Sequence, residues 1–139
     1  MISFTVQGKP VAKGRPRMTR NGIAYTPEKT RQAEESFLAQ ALPHRPSEPL
    51  EGPLEVELYF CFPVPKSWSK KKRAAALREE VCPTGKPDLD NLVKIIDCLN
   101  GVFWRDDAQI INLSAGKFYG EQPRTEVYIQ QSEGLYPSV

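Results

Sequence analysis

Five aspartates crowd a short stretch of this chain: Asp88, Asp90, Asp97, Asp106 and Asp107. They lie in the segment KPDLDNLVKIIDCLNG, residues 86–101, and in WRDDAQI, residues 104–110. Pro87 keeps Lys86 out of helical geometry, so Asp88 enters from extended backbone with Asp88 and Asp90 pointing to the same side. Asp90, Lys94 and Asp97 then repeat at the i, i+4, i+7 spacing of a helix, opposite an apolar stripe of Leu92, Ile95, Ile96 and Leu99. Residues 91–100 as helix rise about 15 Å. After Gly101 the six residues from Val102 can extend about 20 Å, enough to return Asp106 or Asp107 to the end that carries Asp88 and Asp90.

Carboxylates that converge need a counter-charge, because two charges 4 Å apart repel by about 4 kcal/mol at an effective dielectric of 20. A hard divalent ion, Mg²⁺ or Mn²⁺, takes oxygen ligands, whereas zinc and copper prefer nitrogen or sulfur. Singly, each aspartate has a structural role open to it. Asp90 can cap a helix, Asp97 can pair with Lys94, and Asp106-Asp107 can make a turn. The remaining composition narrows the chemistry. The one histidine, His44, sits among prolines, which argues against a Ser-His-Asp triad, a histidine zinc site or paired catalytic histidines. Cys61, Cys82 and Cys98 are odd in number and lack C-x-x-C spacing, so neither a disulfide framework nor a cysteine zinc site is expected.

Bases gather ahead of the acids in the chain. Residues 1–32 hold seven bases against Glu28, and residues 66–73 add five with no acid, although the net charge of the chain is only +2. That layout suits an enzyme acting on a polyanion, with solvated surface charge as the plainer alternative. The candidate phosphate contacts are Lys13, Arg15, Arg17, Arg20, Lys70, Lys71 and Lys72, which would hold a polyanion by its backbone charge. Lys94 can serve a phosphate oxygen or pair with Asp90 or Asp97. Trp68, Phe103 and Trp104 can stack on bases, but core packing suits them better.

The elements that must position these residues follow from the prolines. Thirteen of them leave long Pro-free windows at 28–42, 66–82 and 88–122. Thr26-Pro27 opens a first helix, Ser69 caps a second through Lys70–Glu80, and Asp88 or Asp90 opens a third that Gly101 ends. Strands are expected at Ser3–Gln7, Leu54–Phe62, Ile110–Tyr119 and Thr125–Gln131, the last two joined as a terminal hairpin. Pro43–Pro53 reads as a loop. The order β-α-β-α-α-β-β predicts a single α+β domain over residues 1–131, with a mixed sheet packed by helices and a flexible tail at 132–139. No apolar run is long enough for a membrane span and the first residues lack a signal-peptide core, so a reducing, cytoplasmic setting is expected.

The motif K-P-D-L-D-N-L-x-K-x-x-x-D-x-L-N-G followed by D-D-A-Q-I resembles the RusA family of Holliday junction resolvases of bacteria and their phages. The close match spans roughly residues 86–110. The resemblance implies a homodimeric, Mg²⁺-dependent endonuclease, without organic cofactor, that binds four-way DNA junctions and nicks opposed strands in recombination and repair. It places metal-binding carboxylates on Asp88, Asp90 and Asp107 and a basic residue needed for cleavage on Lys94, with Asp97, Asp106 and Asn91 in support. The rival readings are a metal-dependent nuclease of looser branched-DNA preference and a junction-binding protein that does not cut.

Overall fold

Leu54, Val56, Leu58, Phe60 and Phe62 alternate with Glu55, Glu57 and Tyr59, and the more apolar set is buried to the last residue. A strand with that much to bury belongs at the centre of a sheet, and there it lies. The computed structural model describes residues 1–13, 17–25 and 27–132, and of Arg17 the backbone alone. Within them run β1 (Ile2–Gln7), β2 (Arg17–Met18), β3 (Ala24–Tyr25), α1 (Glu28–Ala41), β4 (Leu54–Pro63), α2 (Lys70–Leu77), α3 (Leu89–Val93), β5 (Ile110–Gly120) and β6 (Arg124–Gln131). The main sheet has the order β1-β6-β4-β5, with β4 and β5 parallel and the other neighbours antiparallel. This is the expected α+β domain with a mixed sheet.

One face of the sheet carries Phe4, Val6, Val127, Ile129 and the apolar set of β4 against Phe37 of α1, Leu92 of α3, and Ile95, Ile96 and Leu99 beyond it. Each such side chain contributes about 1.5–3 kcal/mol when fully buried. Phe103 and Trp104 are completely buried in the same core, as core packing required. Trp68 instead packs edge-on against Tyr119 and carries the Lys72 ammonium over its ring at 3.9 Å.

The terminal hairpin does not form. β5 and β6 lie on opposite sides of β4, and residues 121–123 cross over the end of β4 between them. Pairing β5 with β6 would leave the most apolar strand at an edge, so burial overrides the short turn. The third helix is also different. Only Leu89–Val93 is α-helical, and Lys94–Leu99 tightens to a 3₁₀ helix. Its apolar residues still face inward, since Leu92, Ile95, Ile96 and Leu99 are all buried.

Helix α2 begins where expected, with Ser69 Oγ accepting the Lys72 N–H at 3.2 Å. It stops at Leu77 rather than Glu80 because Glu79 turns to φ +65°. The N–H groups of Glu79 and Glu80 then close on the carbonyls of Ala76 and Ala75, a Schellman arrangement that usually places glycine there. The predicted loop after α1 starts as a 3₁₀ turn at Leu42–His44, and the β2–β3 hairpin was not anticipated. Pro27, not Thr26, stands at the N-cap of α1. Thr26 itself, Arg15 and tail residues 133–139 lie outside the described residues. Ser132, assigned to the tail, donates its N–H to the Pro53 carbonyl at 2.9 Å.

Candidate active site

Asp88 is the N-cap of α3 in extended geometry (φ −69°, ψ 145°), the backbone usual at an N-cap. Its side chain does not cap the helix. It accepts from Lys86 Nζ at 2.9 Å, an exposed pair that holds the carboxylate outward. The loop beneath is fastened from the sheet: Lys117 Nζ on β5 donates to the carbonyls of Gly85 (2.9 Å) and Pro87 (3.1 Å). Lys117 was not singled out from sequence, yet a signal existed. It shares the parity of Ala115 and Tyr119 on β5 and stands level with buried Phe60. A charge at such a position needs a specific polar partner.

Asp90 lies exposed in the first turn of α3. Lys94 pairs with neither Asp90 nor Asp97; its Nζ donates to Asn91 Oδ1 at 3.3 Å. Asp97 is taken by Lys13, whose Nζ lies 3.1 Å from Asp97 Oδ2 and 3.7 Å from Glu34. Burial alone would lower the Lys13 pKa, but the hydrogen bond and charge of Asp97, joined by Glu34, outweigh it and hold the ammonium above its ordinary range. Lys13 thus acts as a tie between the N-terminal segment and the acidic segment. Its backbone N–H reinforces the tie by donating to the Asn91 carbonyl at 3.3 Å. Arg20, Lys70 and Lys71 stand exposed, as phosphate contacts would; Lys72 is exposed too but rests on Trp68.

Asp106 and Asp107 sit at a 3₁₀ turn, Asp107–Gln109, closed by a capping box. Asp106 accepts from Ala108 N at 3.3 Å, while Gln109 Oε1 accepts from the N–H groups of Asp106 and Arg105. The amide of Gln109 donates to the carbonyls of Leu50 (2.9 Å) and Gly52 (3.0 Å), clamping the turn to the loop before β4. The Asp106-x-x-Gln109 spacing announces that box in the sequence, although Gln109 was not assigned a role. The hydrogen bond with Asp106, then partial burial and the charges of Asp106 and Asp97, raise the Asp107 pKa. Asp106 is correspondingly lowered, first by the hydrogen bond from Asp107 and then by the Ala108 N–H.

The charges that raise the Asp107 pKa are those of Asp106 and Asp97. The expected return of Asp107 as far as the start of α3 assumed an extended run after Gly101. The chain instead folds at once: Gly101 N donates to Trp104 O at 2.6 Å, Trp104 Nε1 to Asn100 Oδ1, and Leu50 N to Phe103 O. Burying Phe103 and Trp104 shortens the reach. Among the described residues no three His, Cys, Asp or Glu side chains are gathered closely enough to hold a metal ion. The donor set is nonetheless all oxygen, and the excess negative charge around Asp107 is what a hard divalent cation relieves. These residues fit such an ion in chemistry.

The family model described as endodeoxyribonuclease RusA matches residues 7–130, which include every acid and lysine of this site. The chain is also 42% identical over 136 residues to a Bacillus subtilis (strain 168) protein named "Uncharacterized protein YqaN", covering 94% of this chain and 96% of the relative.

Proposed function

The chain belongs to the RusA endodeoxyribonuclease family, and from that premise we propose that it is a Mg²⁺-dependent endonuclease that resolves four-way DNA junctions by paired nicks in recombination and repair. It works as a homodimer, because one domain carries one acidic centre and a two-fold junction needs two cuts. The observation that carries the reading is the family match over residues 7–130, which takes in the exposed carboxylates Asp90, Asp106 and Asp107, with basic segments ahead of them in the chain.

Asp88, Asp90 and Asp107 are the carboxylates that would hold such a cation. When bound, Mg²⁺ supplies an activated water and polarises the phosphate. Lys94, exposed and hydrogen-bonded to Asn91, turns its ammonium to a non-bridging or leaving oxygen. Asp97, neutralised by Lys13, is a positioning residue that keeps the N-terminal segment against α3. Arg20, Lys70 and Lys71 offer charge to the phosphates on either side.

The acids are open rather than gathered, which favours as a second reading a protein that holds junctions without cutting them. One assay separates the two: a labelled synthetic four-way junction with Mg²⁺ or EDTA, alongside flap and linear duplex controls. Paired, EDTA-sensitive nicks on the junction are expected. Binding without nicks would leave the binder, and equal cutting of flaps would leave a nuclease of looser preference.

A further inference from the structure

Three large apolar side chains stand exposed on the β2–β3 hairpin: Met18 at 67%, Ile23 at 63% and Tyr25 at 46%. None belongs to the core or packs against it. Single exposed apolar residues are ordinary, but three on one two-stranded projection form a patch that calls for a partner. The tip is chemically built. Thr19 O accepts the Gly22 N–H at 3.0 Å, Thr19 N donates to Ile23 O at 2.9 Å, and Thr19 Oγ1 accepts the Ile23 N–H at 3.1 Å. Gly22 takes φ +77°, which a side chain would resist. Met18 and Ile23 thereby stand exposed on either side of a defined turn.

The hairpin is also tethered. Lys13, four residues before β2, is fastened to Asn91 and Asp97, so β2 starts within about 14 Å of chain from the acidic segment. Its surroundings are basic: Arg20 and Lys29 are exposed and make no ion pair among the described residues, and residues 1–32 hold seven bases against one acid. Exposed apolar side chains flanking a turn that carries Arg20, a short length of chain from the acidic segment, suit a nucleic acid whose bases are open to insertion. Resting on the nuclease reading above, we propose that the β2–β3 hairpin is a branch-point wedge, in which Met18 and Ile23 enter the base stack where DNA strands part and Arg20 holds an adjoining phosphate. Inserting apolar side chains between bases costs a few kcal/mol of stacking per step, and the cost is least where the stack is already interrupted. Selectivity for branched over linear DNA then arises without any base being read.

The test compares the full-length chain with a Met18→Ser/Ile23→Ser variant in EDTA, on a four-way junction carrying 2-aminopurine at the branch point and on a linear duplex. The unmodified chain should brighten the probe as a base is unstacked, and should prefer the junction. The variant should lose the fluorescence rise and at least about tenfold of the preference, with an unchanged melting temperature because neither side chain touches the core. A variant that keeps both signals overturns the wedge while leaving junction cleavage by the unmodified chain intact. A variant that sediments as a monomer where the unmodified chain is a dimer also overturns it, and assigns the hairpin to a second copy. An unmodified chain that neither prefers nor cuts junctions overturns the nuclease reading together with the wedge.

Discussion

Asp88, Asp90 and Asp107 are alike in type, yet their surroundings give them different work. Replacing any of them by Asn preserves shape and removes one charge from the proposed cation site. Junction cleavage in Mg²⁺ should fall on the order of 100-fold or more, while gel shifts with the same preparations should show binding kept or tightened. Asp97→Asn should cost less, since Asp97 is occupied by Lys13. A wild-type cleavage rate for Asp90→Asn would show the assignment to be wrong. Asp107 has a pH signature besides. Its pKa is raised in the folded chain, so the stability it contributes is present while it is protonated and is lost as pH rises through its folded pKa. A neutral amide in its place carries no such charge at any pH. Thermal unfolding in EDTA should therefore show Asp107→Asn melting above the wild type at pH 7, with the gap closing at pH 3. Equal melting temperatures at pH 7 would mean that the neighbouring acids do not burden Asp107.

At the scale of elements, the acidic centre depends on two clamps that lie outside it. Lys117 reaches from β5 to the carbonyls of Gly85 and Pro87, and Gln109 reaches from its turn to Leu50 and Gly52. Lys117→Met keeps the aliphatic stem and releases both carbonyls. It should cost about 1–3 kcal/mol in chemical denaturation and lower the cleavage rate more than junction affinity, because the residue steadies the approach to Asp88 rather than touching DNA. Equal losses in the two would indicate a direct DNA contact. Helix α2 shows a different compromise. Lys70, Lys71 and Lys72 sit in its first turn, where the positive end of the helix dipole disfavours them. Lys70→Glu/Lys71→Glu should stabilise the helix by about 0.3–1 kcal/mol per site while weakening junction binding and flattening its salt dependence by roughly 0.9 log units per lost contact. An unchanged salt slope would move the DNA path away from α2.

Across the whole molecule, the sheet sorts charge by face. Helices α1 and α3 cover one side, while the other presents Glu55, Glu57 and Glu126 around the Tyr59–Tyr128 ring pair. The charge of Glu57 raises the Tyr59 pKa, and the hydrogen bond to Glu126 raises that of Tyr128; Glu126 is paired with Arg124, and Glu55 and Glu57 leave this face the more acidic one. DNA is therefore expected to approach over α3, the β2–β3 hairpin and α2. Two opposed cuts call for two such surfaces related by a two-fold axis. Sedimentation at micromolar concentration should show a dimer; a monomer that still makes paired nicks would contradict the account.

What the sequence determined by itself was whatever depends on local pattern. Alternation in Leu54–Pro63, the Ser69 cap and the inward stripe of Leu92, Ile95, Ile96 and Leu99 need only neighbouring residues, and so did the motif at residues 86–110. The tertiary structure decided what depends on competition for burial. A three-residue connection between β5 and β6 is compatible with a hairpin, but the apolar run of β4 needs a partner on each side and separates them. Six residues after Gly101 can span the length of a helix, but Phe103 and Trp104 gain more by entering the core, so Asp107 comes under the charge of Asp97 instead. Lys13 could be read as a phosphate contact from its charge alone. Only the fold, by setting Asp97 and Glu34 beside it, made it a structural tie.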